Sequence, residues 1–273
     1  MRLTSKLKFS GLGLHSGKEC QVELEPCGAP EVLISDYPLR LLKTEGTNRG
    51  SDYIFPDGTK IRTFEHLLSA LAGLEIFSGV RLSVEGGEIP AIDGSAETFC
   101  AEILKNSENC EPVSPVEISE PLIVSNVDKT RFVAAFPDSD GLRITYSVEY
   151  NYVGAYIFDY VQSSENYVRE ISRARTFAMK SDVDYLRSHG MALGGSLDNA
   201  ILIDENEIHA KGGLRWENEL VRHKVLDLIG DLASIGRPLK AHVIAMRAGH
   251  ELHLKFAEKL KELKEQKELK GAK

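Results

Sequence analysis

Apolar side chains recur at helical spacing between Arg215 and Gly236, in the segment RWENELVRHKVLDLIGDLASIG. At about 100° per residue, one face of such a helix is apolar and carries Val221, Val225, Leu228, Ile229, Leu232 and Ile235. The opposite face carries His223, Asp227 and Asp231 at intervals of four residues. The pattern predicts a helix that packs on a core by its apolar face. Its polar stripe is either a solvated surface or a group of side chains able to share one cation.

The N-terminal half reads as strands followed by helices. Strand-like alternation is found at 3–9, 20–25, 31–35 and 79–86 and around Tyr53 and Ile61. The glycine-rich sequence GLGLHSG lies between the first two stretches, which indicates a strand pair. Helical spacing is found at 63–75, where Thr63 is a suitable N-cap, and again at about 96–105.

A segment rich in proline, NCEPVSPVEISEP, divides the chain and predicts two domains, residues 1–114 and 115–273. Beyond it, strand-like stretches lie at 121–127, 131–136, 142–148, 156–161, 199–204 and 240–246. A short helix is expected in SDVDYLRSHG, and a final helix starts near His250. In that last helix, Phe256, Leu260 and Leu263 share one face, which indicates a docked helix with a charged end; a helix on a membrane surface is the alternative.

The order of elements is similar in the two halves. In each, several strands precede a helix, a strand and a second helix. The order predicts an α+β fold of two similar domains, each a sheet with covering helices. The helices of both would pack between the sheets and leave a cleft at the interface, where an active site is expected.

Composition excludes several classes of protein. The 273 residues are 42% hydrophobic and 27% charged, as in a globular protein, and the net charge of −8 argues against a nucleic-acid partner. No apolar stretch is long enough for a transmembrane helix or a signal peptide. The four cysteines show no C-x-x-C spacing, which indicates free thiols in a reducing compartment and a cytoplasmic protein.

Three histidines have neighbours that suggest chemistry. His66 follows Glu65 near the start of a helix, His223 begins the polar stripe, and His250 stands at a strand-to-helix junction. Two imidazoles and Asp227 would leave one position of a tetrahedral zinc open for water. Glu65 could then act as a base, and His250 with Asp231 as an acid. Each histidine could instead serve packing, because the spacing does not prove that the two halves meet.

Several motifs together resemble one family. They are GLGLHSGKEC, TFEHLLSALAGLEI, EIPAIDGSAETF, ISRARTF, GMALGGSLDNAI, LRWENELVRHKVLDLIGDL and RAGHELHLKFAEKL, in this order from about residue 3 to residue 260. The chain resembles the UDP-3-O-acyl-N-acetylglucosamine deacetylases, zinc amidases of bacterial lipid A synthesis. The resemblance implies a monomer that removes acetate from UDP-3-O-(3-hydroxyacyl)-N-acetylglucosamine. Two alternatives remain: a metallo-amidase for another acylated nucleotide sugar, and a non-catalytic module that binds a nucleotide sugar or an acyl chain.

The resemblance also implies roles for single residues. His66, His223 and Asp227 correspond to the zinc ligands, although the same ligands suit Fe²⁺. The catalytic positions are Glu65 as general base, His250 as the histidine that stabilises the transition state and protonates the amine, Asp231 as its acidic partner, and Thr176 as the oxyanion donor. The positions for the UDP diphosphate are Lys224, His15 and Arg247, with a turn histidine as the alternative for His15.

Two inserts are expected to contact the rest of the substrate. The insert at about 177–195 corresponds to an apolar passage for the acyl chain, with Phe177, Met179, Val183, Leu186, Met191 and Ala192 suitably apolar. Arg187 and His189 are placed at its mouth. The first insert, at about 46–62, departs from the family, with Asn48 and Arg49 at positions that are often apolar. Asp93, in IDGS, is interpreted as a turn residue.

Overall fold

The computed structural model describes residues 1–47, 49–205 and 207–271, with side chains described as far as residue 263. Asn48 therefore lies outside the described residues. The N-terminal half contains β1 (Arg2–Leu3), β2 (Leu7–Leu12), β3 (Glu19–Pro26), β4 (Val32–Ile34), β5 (Tyr37–Pro38), β6 (Lys43–Thr47), β7 (Gly50–Ile54), β8 (Lys60–Arg62), α1 (Glu65–Gly73), β9 (Val80–Glu85), α2 (Glu97–Lys105) and β10 (Ser107–Glu108). A 3₁₀ turn at Leu39–Leu41 follows β5.

The C-terminal half contains a similar series of strands and helices. It contains β11 (Val116–Glu117), β12 (Leu122–Ser125), β13 (Phe132–Pro137), β14 (Leu142–Tyr150), β15 (Gly154–Val161), α3 (Ser164–Asn166), β16 (Phe177–Met179), α4 (Lys180–Ser188), β17 (Ile201–Ile203), β18 (Ile208–His209), α5 (Glu219–Leu232), β19 (Leu239–Met246) and α6 (His250–Gly271). A π-helical turn at Tyr167–Ile171 follows α3, and a 3₁₀ turn at Ala233–Ile235 follows α5.

The two main sheets have the same topology. The first has the order β2-β3-β9-β4-β5 and the second β12-β13-β19-β14-β15, with β11 added beside β19. In both, the central strand comes from between two helices and runs antiparallel to one neighbour and parallel to the other. The α+β fold of two similar units is therefore confirmed. The boundary at residue 114 stays a prediction, because one core includes side chains of both sheets.

Helices α1 and α5 form the layer between the sheets. Every residue of α1 is buried, and so are nearly all residues of α5. The solvated polar stripe considered for α5 is wrong: His223, Asp227 and Asp231 are 2%, 1% and 0% exposed. The polar face is covered because α1 crosses it. The hydrophobic periodicity of one helix does not predict whether another helix covers its polar face.

Two local predictions are also wrong. Thr63 is not an N-cap: its backbone is left-handed, with φ 60°, and α1 starts only at Glu65, with Phe64 in the capping position. The Thr63 hydroxyl donates to the buried carboxylate of Glu88, which also accepts the backbone N–H of His15. The predicted strand at 3–9 is divided into β1 and β2, because Leu3 pairs with Ser107 of β10.

Smaller sheets extend from the main ones. The first insert forms the sheet β6-β7-β8, and the second forms β16-β17-β18 with α4 beside it. Strand β17 lies beyond Gly195, outside the range predicted for the second insert, and the bounds of that insert stay a prediction. The prediction of a docked last helix is confirmed for Phe256 and Leu260, which are buried. Within the described chain, no helix combines the length and the apolar character that a membrane crossing requires.

Candidate active site

Helices α1 and α5 cross at Gly230, and this crossing assembles the site. A Cβ atom at Gly230 would lie 2.0 Å from the carbonyl oxygen of Glu65, so only glycine allows the two backbones to approach this closely. The contact places Glu65 and His66, at the start of α1, beside His223 and Asp227 of α5. Two segments far apart in the sequence therefore form one polar group inside the core.

His66, His223 and Asp227 form a group that fits a metal ion. Their candidate ligand atoms lie within 4.8 Å of one another, and all three side chains are buried. Asp227 Oδ1 lies 3.2 Å from His223 Nε2 and 3.8 Å from His66 Nε2. Among the described residues this oxygen has no hydrogen-bond partner, although it is buried. A buried acceptor between two imidazole nitrogens is the donor set that a divalent cation of the zinc type requires.

The protonation of these groups also suits a metal. Burial lowers the pKa of His66 to about 3, and the neighbouring His223 adds to the shift. Burial likewise lowers the pKa of His223. Burial opposes the charge on Asp227, but His223 and Lys224 outweigh it and hold the pKa of this carboxyl well below its usual range. Neutral imidazoles beside a carboxylate are the protonation states that ligands need.

Two further contacts orient the ligands. His223 Nδ1 donates to the carbonyl oxygen of Ala174 at 3.0 Å, so the Nε2 lone pair points towards Asp227 and His66. Lys224 Nζ donates to Asp227 Oδ2 at 2.6 Å, which leaves Oδ1 as the free oxygen. Burial opposes the charge on Lys224, but the carboxylate raises the pKa of the ammonium group.

Glu65 is held as a base beside this group. Burial raises the pKa of Glu65 to about 7, although the charge of His250 opposes the shift. Its Oε2 accepts the backbone N–H of Ser51 at 3.1 Å and the Ser51 hydroxyl at 2.7 Å. Its Oε1 is close to Gly50, where a Cβ atom would lie 2.9 Å away. A carboxylate with a pKa near neutrality can accept a proton from water and release it again.

His250 and Asp231 form a buried ion pair on the other side of the site. His250 Nδ1 donates to Asp231 Oδ2 at 2.8 Å, and His250 Nε2 lies 3.6 Å from Asp227 Oδ2. Burial opposes the charge on the ring, but Asp231 and Asp227 outweigh it and raise the pKa of His250 to about 9. The ring is therefore protonated at neutral pH and can donate from Nε2.

A cavity of about 640 Å³ opens onto these groups. Of the residues named from the sequence, it is lined by Glu65, His66, His223, Lys224, Asp227, His250, Thr176, His15, Phe177, Met179, Val183, Leu186, Ala192, Arg49 and Arg187. The apolar members come mostly from β16 and α4, so the second insert forms one wall. Asp231 lies behind His250. Met191, His189 and Arg247 are outside the lining; Arg247 is half exposed and pairs with Glu149 at 3.1 Å.

A buried ion pair fixes Thr176 in that lining. The neighbouring Arg175 donates from Nε to Glu219 at 2.8 Å, where Glu219 is the first residue of α5. The backbone N–H of Thr176 donates to Gly94 at 2.8 Å, and its carbonyl accepts from Ile201 of β17 at 2.8 Å. The RARTF segment is therefore attached both to α5 and to the second insert.

His15 connects loops rather than offering a free ring nitrogen. Its Nε2 lies 3.1 Å from the carbonyl oxygen of Arg49, and its Nδ1 faces the backbone N–H of Ala192 at 3.4 Å. The Arg49 side chain in turn pairs with Asp182 of α4 at 2.5 Å. The two inserts thus meet across the cavity, and the polar Arg49 has a partner there.

Some lining residues were not identified from the sequence. Arg131 and Tyr150 line the cavity from the second unit, and Ile201 and Leu202 of β17 add to its apolar wall. The sequence contains a signal for β17, the strand-like NAILID, but not for its parallel pairing with β16. Asp93 accepts the backbone N–H of Ser95, as a turn residue does.

Such a group of side chains, beside a carboxylate that titrates near neutral pH, is the arrangement of a hydrolytic enzyme, built here where two α+β units share their helices. Comparison with known proteins gives the family. The family model described as "LpxC: UDP-3-O-acyl N-acetylglycosamine deacetylase" matches residues 1–262. The chain therefore belongs to the UDP-3-O-acyl-N-acetylglucosamine deacetylase family, which confirms the resemblance seen in the sequence.

Individual relatives cover nearly the whole chain. A protein of Oleidesulfovibrio alaskensis is 38% identical over an alignment of 274 positions, which covers 94% of this chain and 87% of that protein. A protein of Aquifex aeolicus is 38% identical over 263 residues, covering 93% of this chain and 90% of its own length. One of Histophilus somni is 36% identical over an alignment of 278 positions, which covers 96% of this chain and 90% of that protein. All three are named UDP-3-O-acyl-N-acetylglucosamine deacetylase.

Proposed function

We propose that this chain hydrolyses the N-acetyl group of UDP-3-O-(3-hydroxyacyl)-N-acetylglucosamine, giving UDP-3-O-(3-hydroxyacyl)-glucosamine and acetate, the committed step of lipid A biosynthesis. The observation that carries the proposal is the buried Glu65, with a pKa of about 7, beside His66, His223 and Asp227 at one end of the cavity. Family membership supports it, because the relatives are named for this deacetylation.

The three buried side chains His66, His223 and Asp227 would hold Zn²⁺, or Fe²⁺, for which the same ligands are suited. When bound, the metal would polarise the acetamide carbonyl and make a water molecule more acidic. This ligand set also argues against a module that only binds, because binding alone requires neither an open metal position nor a carboxylate of raised pKa beside it.

Glu65 acts as the general base in this proposal. It takes the proton of the attacking water on Oε1, while Ser51 holds Oε2. The Thr176 hydroxyl donates to the carbonyl oxygen as negative charge develops on it. His250, protonated and held by Asp231, gives its Nε2 proton to the amine as the C–N bond breaks. The raised pKa of Glu65 suits a base that takes up and releases a proton near neutral pH, and the raised pKa of His250 suits a proton donor.

The rest of the substrate would fill the rest of the cavity. The acyl chain lies against the wall formed by Phe177, Met179, Val183, Leu186 and Ala192. Lys224 and Arg131 are cations in the cavity lining, and we propose that they meet the diphosphate. One chain supplies all these side chains, so we propose a monomer. Its cysteines, Cys20, Cys27, Cys100 and Cys110, are free thiols, as expected in the cytoplasm.

A direct assay tests the function and both alternatives. Purified protein incubated with UDP-3-O-(3-hydroxymyristoyl)-N-acetylglucosamine should release acetate and a free amine, both measured by mass spectrometry. UDP-N-acetylglucosamine, which lacks the acyl chain, should react much more slowly because the apolar wall remains unfilled. Equal turnover of the two compounds would favour an amidase for another nucleotide sugar. Stoichiometric binding without turnover, in protein that carries metal, would favour the binding module.

The pH dependence of kcat/KM should be bell-shaped. Glu65 works only when it is deprotonated, so activity should rise as the pH passes its pKa of about 7. His250 works only when it is protonated, so activity should fall as the pH passes about 9. The check is kcat/KM measured from about pH 5 to pH 10 at constant ionic strength. A profile that is flat between pH 6 and pH 8, with the wild-type protein fully folded, would contradict the assignment of Glu65.

A further inference from the structure

The carboxylate of Asp231 is shared by two histidines, and only one of them has a role in the proposed reaction. His250 Nδ1 and His253 Nδ1 each lie 2.8 Å from Asp231 Oδ2. All three side chains are buried, and His253 is 0% exposed. His250 and His253 stand three positions apart at the start of α6, so both rings face α5 from the same side of their helix.

The second ring is held at both of its nitrogens. His253 Nε2 lies 2.8 Å from the hydroxyl of Tyr146, on β14, and that hydroxyl also lies 2.9 Å from the carbonyl oxygen of Ala248. A carboxylate can only accept, so His253 Nδ1 carries the proton towards Asp231. The single hydroxyl proton of Tyr146 is donated to the Ala248 carbonyl, and the same hydroxyl oxygen contacts His253 Nε2. The contacts with Asp231 and Tyr146 together fix the orientation of the His253 ring.

Asp231 has few other restraints. Within the described part of the chain, its Oδ1 has no hydrogen-bond partner, so both protein donors meet at Oδ2. If His253 were removed, the carboxylate could rotate with His250 as its only donor. The Nε2 atom of His250 would then lose its fixed position relative to Glu65 and Asp227.

We propose that His253 is a positioning residue, which holds Asp231 in the orientation that aligns His250 with the reacting group. The inference rests on the proposed function, because it gives His250 the role of proton donor. It adds a residue that acts through Asp231 without touching the substrate: His253 is absent from the cavity lining. A histidine that served packing alone would instead tolerate any side chain of similar volume.

Two substitutions distinguish positioning from packing. His253→Leu keeps an apolar side chain of similar size but removes the donor, and kcat should fall by about 10- to 100-fold, as for outer partners of catalytic groups. KM should change little, because His253 does not contact substrate, and the metal content should equal that of the wild type. His253→Asn has an amide N–H that can take the place of Nδ1–H, so it should recover most of the lost kcat.

The control is His242→Leu on β19, where the histidine contacts Thr145 at 2.8 Å and is not part of the cavity lining. Wild-type kcat in His253→Leu would overturn the inference. Equal losses in His253→Leu and His253→Asn would also overturn it, since they would indicate packing. A wild-type protein that carries metal and releases no acetate would instead refute the proposed function, so the two failures are distinguishable.

A spectroscopic measurement covers the case in which His253→Leu does not fold. In metal-free wild-type protein, the nitrogen chemical shifts of the imidazoles report which ring nitrogens carry protons. The Nδ1 atoms of His250 and His253 should both be protonated and show protons shifted downfield by the hydrogen bond to Asp231. An unprotonated His253 Nδ1 would overturn the inference without any variant.

Discussion

Glu65→Gln should lose most of its turnover and keep its metal. Glutamine has the size of glutamate but cannot accept the proton of the attacking water, and general bases contribute about 10²- to 10⁴-fold to rates. We therefore expect kcat to fall by about that factor. The metal content should not change, because the candidate ligands are His66, His223 and Asp227. Glu65→Ala should behave in the same way.

The measurement is kcat with the acylated substrate, beside elemental analysis of the same preparation. Glu45→Gln is the matched control, since Glu45 is an exposed glutamate of the same unit that pairs with Lys60 on the surface. Near-normal turnover in Glu65→Gln would refute the role of Glu65 as base. Loss of metal from that variant would indicate that Glu65 is itself a ligand.

His66→Ala and His223→Ala should each abolish both metal binding and turnover. Wild-type protein purified without chelators should contain about one zinc or iron per chain, bound by His66, His223 and Asp227. Each substitution removes one imidazole from that set and leaves too few ligands for tight binding. His66 lies on α1 and His223 lies on α5. Equal loss of metal in both variants would therefore show that the two units contribute ligands to one site.

His242→Ala serves as control for the loss of a histidine elsewhere in the same fold. Metal retained in both His66→Ala and His223→Ala would contradict the assignment of the ligands. A wild-type protein that is folded and free of metal, and that binds the UDP-sugar without metal, would favour the non-catalytic module. Elemental analysis and thermal unfolding on the same samples separate these outcomes from simple loss of the fold.

The periodicity of the sequence determined much of the architecture. The apolar spacing at 63–75 and 215–236 predicted α1 and α5, and the alternation at 240–246 predicted β19. The repeated order of strands, helix, strand and helix predicted two similar α+β units, and the sheets have the same topology. Local patterns succeed here because a helix or a strand must bury one face, and that requirement is present in the order of residues alone.

The motifs of the sequence also identified the family, because several of them occur in one order along nearly the whole chain. The motifs did not determine which of their residues contact one another in the folded chain. The spacing in α5 allowed His223 and Asp227 to share a cation, but it allowed a solvated stripe equally well. Arg247 and His15 were assigned together by position, yet Arg247 lies outside the cavity and both ring nitrogens of His15 have partners.

Only the tertiary structure determined the burial and the ionisation of the side chains in the site. Gly230 lets α1 cross the polar face of α5, and the Glu65 carboxylate is covered by Gly50 and Ser51 of β7; this burial raises its pKa to about 7. Ser51, Tyr146 and His253 come from distant segments, and no local pattern connects them with Glu65 or Asp231. A periodic sequence shows which face of an element is apolar. It does not show what covers the other face, and burial by that partner is what changes the ionisation of the groups inside.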